Sequence, residues 1–402
     1  MGKGSGRLVL IFSSTGHFFF HYLVAMYFTI VLSLANDWHQ PFHDLIELWT
    51  PAFILIGLAA LPAGRLADIW SSAGMLVVMF IGMGLACAAS GLAQNAWQLL
   101  VLMGGIGLFA AIYHPVGISW LVRGSAEHTG KKLAINGIFG GLGAAAAGGI
   151  TGLLLEYSGW RAAFMVPGVV CLLVGMAMLW CVWSGRLNEV GSDGDRQGEK
   201  KQQKGGALGA FLILLIPMFT IGLIYNTTQA LMPKLFEERL ADLLDGNMAK
   251  IGAMVSAVYV VGAVMQLFGG WLADRFPLKT VYLWCWIFQI PLLLLIASSD
   301  NKLLFALVVG LVVFNTAALP AENMLLSRFA PQRHHGLAFG IKFVLAFGAG
   351  PIGVELIALV REATGSFDLL IYGLGVSAAV TSIAVMLVPR EVPEHPNITA
   401  LP

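Results

Sequence analysis

The feature that most constrains this chain is a short charged string that occurs twice. It reads Gly-Arg-Leu-Ala-Asp at Gly64–Asp68 and Gly-Trp-Leu-Ala-Asp-Arg at Gly270–Arg275. The copies lie about half the chain apart, and each follows one long apolar run and precedes another. A charged turn between apolar runs, repeated once per half, predicts a duplicated helical membrane protein. Composition agrees. Hydrophobic residues make up 58% and charged residues 11%, with a mean hydropathy of +0.80, whereas a soluble domain carries about 25% charged residues. Too little polar surface remains to coat a water-soluble fold of 402 residues. A net charge of +1 with no basic face argues against nucleic acid as a partner.

A helix needs about 20 apolar residues to cross a bilayer. Runs of that length fall near 8–35, 44–63, 74–93, 98–121, 134–156 and 162–183, and then near 208–232, 250–271, 280–298, 303–326, 336–360 and 367–388. The expected fold is therefore an all-α membrane protein of 12 transmembrane helices. It comprises an N-terminal six-helix bundle over 1–183, a linker over 184–207 and a C-terminal six-helix bundle over 208–402. The linker is polar and Gly-rich and cannot bury a core. Met1 to Arg7 is short and basic, and the apolar run behind it is too long for a signal-peptide core, so an uncleaved first helix is expected. With the N-terminus in the cytoplasm, sixteen of the 23 Lys and Arg fall on the cytoplasmic side and six on the outer side, while Lys342 stays inside a span. Both termini and the linker are thus expected to face the cytoplasm, in a multi-pass inner-membrane protein. Cys87, Cys171, Cys181 and Cys285 lie within apolar runs, without metal-type spacing.

The repeat extends beyond the two Asp. A nearly identical offset aligns Pro115 with Pro320, Arg123 with Arg328, Gly143 with Gly348 and Gly148 with Gly353. With these residues in place, the chain resembles the major facilitator superfamily over nearly its whole length. That family carries a G-x-L-a-D-R-x-G-R-K motif between its second and third helices. Gly64, Leu66 and Asp68 match it, while Ile69, Ser71 and Ser72 replace basic positions; the second copy keeps Gly270, Leu272, Asp274, Arg275 and Lys279. The stretch Ser158–Phe164 resembles the family's S-G-W-R-x-x-F. The resemblance implies a 6+6 pseudo-twofold and a cavity lined by the first, fourth, seventh and tenth helices. Tyr113-His114-Pro115 is similar to the F-H-P-E of the fosmidomycin-resistance branch of exporters, with Val116 in place of the Glu.

A carboxylate at the end of a span can accept from free N–H groups of a facing helix or pair with a neighbouring guanidinium. Asp68 with Arg123, and Asp274 with Arg275 and Arg328, are the expected gating residues. The Gly-rich fifth span, Asn136 to Gly152, and Gly340, Gly348, Gly350 and Gly353 of the eleventh let helix backbones approach and slide.

Ionisable groups at membrane depth are costly, so each is a site candidate. His17 and His21 stand i, i+4 on one face of the first span, with Tyr22 beside them. Such a pair can carry a coupling proton, hydrogen-bond a substrate or ligate a metal as neutral imidazole. Coupling and substrate contact are the expected roles, and no metal site is assigned. Tyr113 and His114 join them from the fourth span, and Tyr225, Asn226 and Gln229 from the seventh. Glu322 and Lys342 fall at one depth on adjacent spans, as an ion pair that is either a static lock, an anchor for an anionic substrate or a coupling group. Asn136, Gln266, Gln289 and Asn315 are weaker candidates.

No G-x-x-x-x-G-K-[ST] string occurs, so ATP is not the expected energy source, and no nucleophile–base–acid set points to an enzyme. The expectation is a proton-coupled, alternating-access exporter of a small amphiphilic or drug-like compound. Its partners are that substrate, protons and the lipid bilayer, and it works as a monomer without a cofactor. Two alternatives are a proton-coupled importer of a small organic solute such as a carboxylate, and a non-transporting membrane sensor on the same shell.

Overall fold

The computed structural model describes residues 3–124, 129–187, 207–330 and 335–389. Of the linker expected over 184–207, residues 188–206 lie outside that set, as does Arg333. All regular secondary structure among the described residues is helical. The membrane-length helices are α1 (Ser5–Trp38), α2 (Phe42–Ile69), α3 (Ser72–Ser90), α4 (Ala96–Arg123), α5 (129–158), α6 (160–183), α7 (Leu208–Arg239), α8 (Met248–Arg275), α9 (Leu278–Ala297), α10 (Leu303–Phe329), α11 (Ala338–Thr364) and α12 (Asp368–Leu387).

The fifth and sixth spans are joined differently from the loop expected between 156 and 162. Helix runs from Thr129 to Trp183, with non-helical backbone angles at Gly159, φ +77° and ψ 173°. That conformation strains any residue with a Cβ, so one glycine does the work of a loop. Beside it Arg161 donates to the carbonyls of Gly91 and Ala93, both at 3.0 Å, and lies over the Trp160 ring. The Ser158–Phe164 string thereby pins the α3–α4 turn to the α5–α6 joint.

The two halves meet where α5 packs on α8 and α2 packs on α11. Small residues set the first of these seams. A Cβ added at Gly252 would lie 2.3 Å from the Gly148 carbonyl oxygen, and one at Gly152 would lie 2.5 Å from the Met248 carbonyl oxygen. Backbone therefore rests on backbone, in the way small-residue interfaces allow within a bilayer. At the same end the Glu156 carboxylate accepts from Asn247 Nδ2 (2.8 Å) and from the Met248 N–H (2.9 Å), which caps the first turn of α8 from the opposite half. Thr50 Oγ1 donates to Glu355 Oε1 (2.8 Å) and ties α2 to α11.

Contact loosens toward the opposite end. Ala263 still meets Gly141, and a Cβ at Gly340 would lie 3.8 Å from the Leu61 side chain, but open space surrounds the positions a Cβ would take at Gly137 and Gly270. The halves are sealed at the Glu156 end and part toward the end that carries Asp68 and Asp274.

Candidate functional site

The site begins with a proline. Pro115 has no N–H to donate within α4, and an ordinary helical turn would press its ring on the carbonyl four residues back. The chain widens instead into a π-helical turn over Tyr113–Gly117, a feature that often marks functional positions. Ser13 of α1 donates to the Gly117 carbonyl (2.9 Å), and Ser119 donates to that of Pro115 (2.6 Å), so the distorted turn keeps its hydrogen bonds. The widening carries His114 to the wall of the cleft between the halves.

α1 supplies the opposite edge. The ring centroids of His17 and His21 are 5.0 Å apart, and His114 lies 5.5 Å from the first and 5.9 Å from the second. One ring nitrogen of each histidine lies within 4.8 Å of one from each of the other two. Sequence spacing pairs the two residues on α1; the fold adds the third from α4.

A polar relay behind the cluster holds it in place. Asn136 of α5 receives His17 Nδ1 at its backbone carbonyl (2.8 Å), and its side-chain amide donates to the Tyr113 hydroxyl (2.9 Å) and to Ser13 Oγ (3.1 Å). A backbone carbonyl only accepts, so His17 Nδ1 carries the proton and Nε2 keeps its lone pair. α5 comes this near because Gly143 faces the α1 backbone, where a Cβ would lie 2.2 Å from the Phe18 carbonyl oxygen. Tyr113 stacks on His17 at 4.9 Å. Tyr22 is not part of the cluster; it is buried and packs edge-on to Phe18.

The C-terminal half closes over His114 with aromatic rings. Phe343 and Phe347 of α11 lie 5.2 and 5.0 Å from it, and Phe20 of α1 at 4.5 Å. A cavity of about 50 Å³ opens beside these rings, bounded by Ile56, Ala60, Leu61, Pro115 and Val344. It lies between α1, α2, α4 and α11, where α11 of the C-terminal half meets the wide turn of α4.

Glu322 and Lys342 sit inside the C-terminal bundle. Lys342 Nζ is 2.7 Å from Glu322 Oε1, the Tyr282 hydroxyl of α9 donates to Glu322 Oε2, and Lys342 donates to Asn323 Oδ1. Glu322 is 0% and Lys342 5% exposed. The pair knits α9, α10 and α11 together, which is the geometry of a lock rather than of a group facing the cleft. Asn315 and Gln289 bond each other between α9 and α10 (3.3 Å).

On α7, Asn226 donates to the Ala346 carbonyl (2.9 Å) where Gly222 lets α11 approach, so it tethers two helices. Tyr225, Gln229 and Tyr259 form a polar patch between α7 and α8. Gln229 lies 3.4 Å from the Tyr225 hydroxyl, and the two tyrosine rings are 6.1 Å apart.

At the parted end, Arg123 is 3.9 Å from Asp68 and donates to Ser72 (2.7 Å), all within the N-terminal half. Asp274 and Arg328 are exposed, and Arg275 lies over the Trp271 ring at 4.4 Å. Sequence reasoning missed the contacts that close the other end: Glu156, Asn247, Thr50 and Glu355. A signal existed in the lone acid that ends the fifth apolar run and in the Asn that caps the eighth helix, but nothing in one dimension pairs them.

Two comparisons with known sequences and one with solved structures bear on this architecture. Residues 14–244 and 239–402 match the family profile of the Major Facilitator Superfamily. The 4-hydroxybenzoate transporter PcaK of Pseudomonas putida is 25% identical over 395 residues, covering 89% of this chain and 87% of that protein. The multidrug resistance protein MdtG of Escherichia coli (strain SMS-3-5 / SECEC) is 25% identical over 296 residues, or 71% of each chain. A bacterial homologue of the human lysosomal transporter Spinster, solved in an inward-facing and occupied conformation, superposes with a TM-score of 0.74 over 96% of both chains at 14% identity.

Proposed function

Because the chain belongs to the Major Facilitator Superfamily, we propose that it is a proton-driven exporter of small amphiphilic aromatic compounds that works by alternating access. It is a multi-pass membrane transporter and not an enzyme. The observation that carries the reading is the cleft, sealed by backbone contact at the Glu156 end and parted at the Asp68 end. His114 on its wall is framed by Phe20, Phe343 and Phe347. Such a lining suits a planar, largely apolar molecule with one polar edge. The match to MdtG and the Tyr113-His114-Pro115 string support export.

The excess of Lys and Arg supports a cytoplasmic Asp68 end, which makes the described conformation inward-facing. Asp68, Arg123, Asp274, Arg275 and Arg328 sit where the cytoplasmic gate would form when the halves rock together, and Glu156 and Glu355 hold the outer gate. The sequence has no nucleotide-binding loop, and ionisable side chains at membrane depth support protons as the coupling ion.

A second reading, import of a small aromatic carboxylate with a proton, is favoured by the match to PcaK over 89% of the chain. Membrane vesicles of both orientations separate the two. Under export by exchange, inverted vesicles with an acidic lumen accumulate an aromatic dye about tenfold or more over vesicles without a gradient. Under import, right-side-out vesicles with an acidic exterior accumulate 4-hydroxybenzoate instead. Equal uptake with and without a gradient in both orientations would remove proton coupling.

A further inference from the structure

We infer that His17, His21 and His114 form a binding site for a divalent transition-metal ion of the zinc class, set in the wall of the cleft. Three imidazoles with one open position are a familiar ligand set for such an ion. Metal–nitrogen bonds of about 2.0–2.1 Å place tetrahedral ligands roughly 3.3 Å apart. One ring nitrogen from each histidine already lies within 4.8 Å of the others, so the rings need only turn and converge. They come from two helices fixed against each other by the Ser13–Gly117 and Asn136 contacts, which limits the cost of assembling them.

Two further observations point to a ligand. The first concerns His17, whose Nδ1–H is held by the Asn136 carbonyl at 2.8 Å. This is the outer-shell contact that orients a metal-ligating histidine and leaves its other nitrogen unprotonated. The second is His114. Both of its ring nitrogens are buried and neither has a hydrogen-bond partner. A buried polar group left unpaired is costly and calls for an explanation, and coordination supplies one. Imidazole donors select zinc, nickel, cobalt and copper over magnesium and calcium. An ion held by three neutral ligands keeps its charge, so its remaining position takes water, hydroxide or an anionic donor from the cleft.

Gly140 offers a way to disturb the site without removing a ligand. A Cβ there would lie 2.6 Å from both Cε1 and Nε2 of His17, so Gly140→Ala pushes the ring aside.

The test uses the purified full chain in detergent, stripped with a chelator and titrated with Co²⁺, whose visible absorption reports tetrahedral coordination. The expected result is one Co²⁺ per chain, displaced by Zn²⁺ and not by equal Mg²⁺. His17→Gln and His114→Gln should each weaken binding at least about 100-fold, and Gly140→Ala about tenfold. His21→Cys should keep the ion and add a sulfur-to-cobalt charge-transfer band, a gained signal that a loss of folding cannot imitate. Absent tetrahedral bands in the wild type, bands unchanged in His114→Gln, or no sulfur band in a monodisperse His21→Cys protein would each overturn the site.

Discussion

Gly252→Ala is expected to cut transport by about tenfold to 100-fold, while Gly373→Ala leaves it within about twofold. Gly252 lies on α8 and Gly373 on the exposed face of α12, and both changes add one methyl group. At 252 that methyl would stand 2.3 Å from the Gly148 carbonyl oxygen and 2.9 Å from the Gly152 Cα, on the seam that seals the Glu156 end; at 373 it enters open space. Backbone cannot yield as a side-chain tip does, and overpacking costs about 1–3 kcal/mol. Borne by the sealed state alone, that cost shifts the access equilibrium by roughly one to two powers of ten. Initial rates in vesicles, normalised to the amount of protein inserted, check it. Equal rates for the two variants would show that the seam does not govern the cycle.

Lys342→Met is expected to destabilise the protein by about 3–5 kcal/mol, because it strands the Glu322 carboxylate in a fully buried position. Glu322 is 0% exposed, and its remaining partner is the Tyr282 hydroxyl. The double variant Glu322→Gln, Lys342→Met removes both charges and should recover most of that loss, since replacing a buried pair with neutral groups is often close to neutral. Thermal unfolding in detergent distinguishes the three proteins. A double variant no more stable than Lys342→Met would mean that Lys342 acts through something other than its pairing with Glu322.

How much of this was legible in the sequence follows from what acts along the chain and what acts across it. Apolar length is a local property, so the membrane spans read correctly, apart from the joint at Gly159, where one residue takes the place of a loop. The i, i+4 spacing of His17 and His21 is equally local. Pro115 announced a disturbance of α4, but not that the disturbance is a π turn that carries His114 across to α1. Which end of the cleft is sealed depends on carbonyl-to-glycine approaches between helices about 100 residues apart, and on Glu156 capping a helix of the other half. No periodicity records those contacts. Glu322 and Lys342 showed their opposite charges and shared depth; their enclosure by Tyr282 and Asn323, which favours a lock, needed three helices in place.

In alternating access, one end of the cleft opens as the other closes. Paired spin labels test it most directly, with one pair at Tyr157 and Leu243 beside the sealed end and another at Ile69 and Phe276 beside the parted end. All four positions are exposed, and the labels go into a chain from which Cys87, Cys171, Cys181 and Cys285 have been removed. Double electron–electron resonance should show two distance populations for each pair. Under conditions that drive transport, the Tyr157–Leu243 distance should lengthen as the Ile69–Phe276 distance shortens, in equal proportion. Both distances moving in the same direction, or a fixed Tyr157–Leu243 distance in a transporting protein, would contradict alternating access about this cleft.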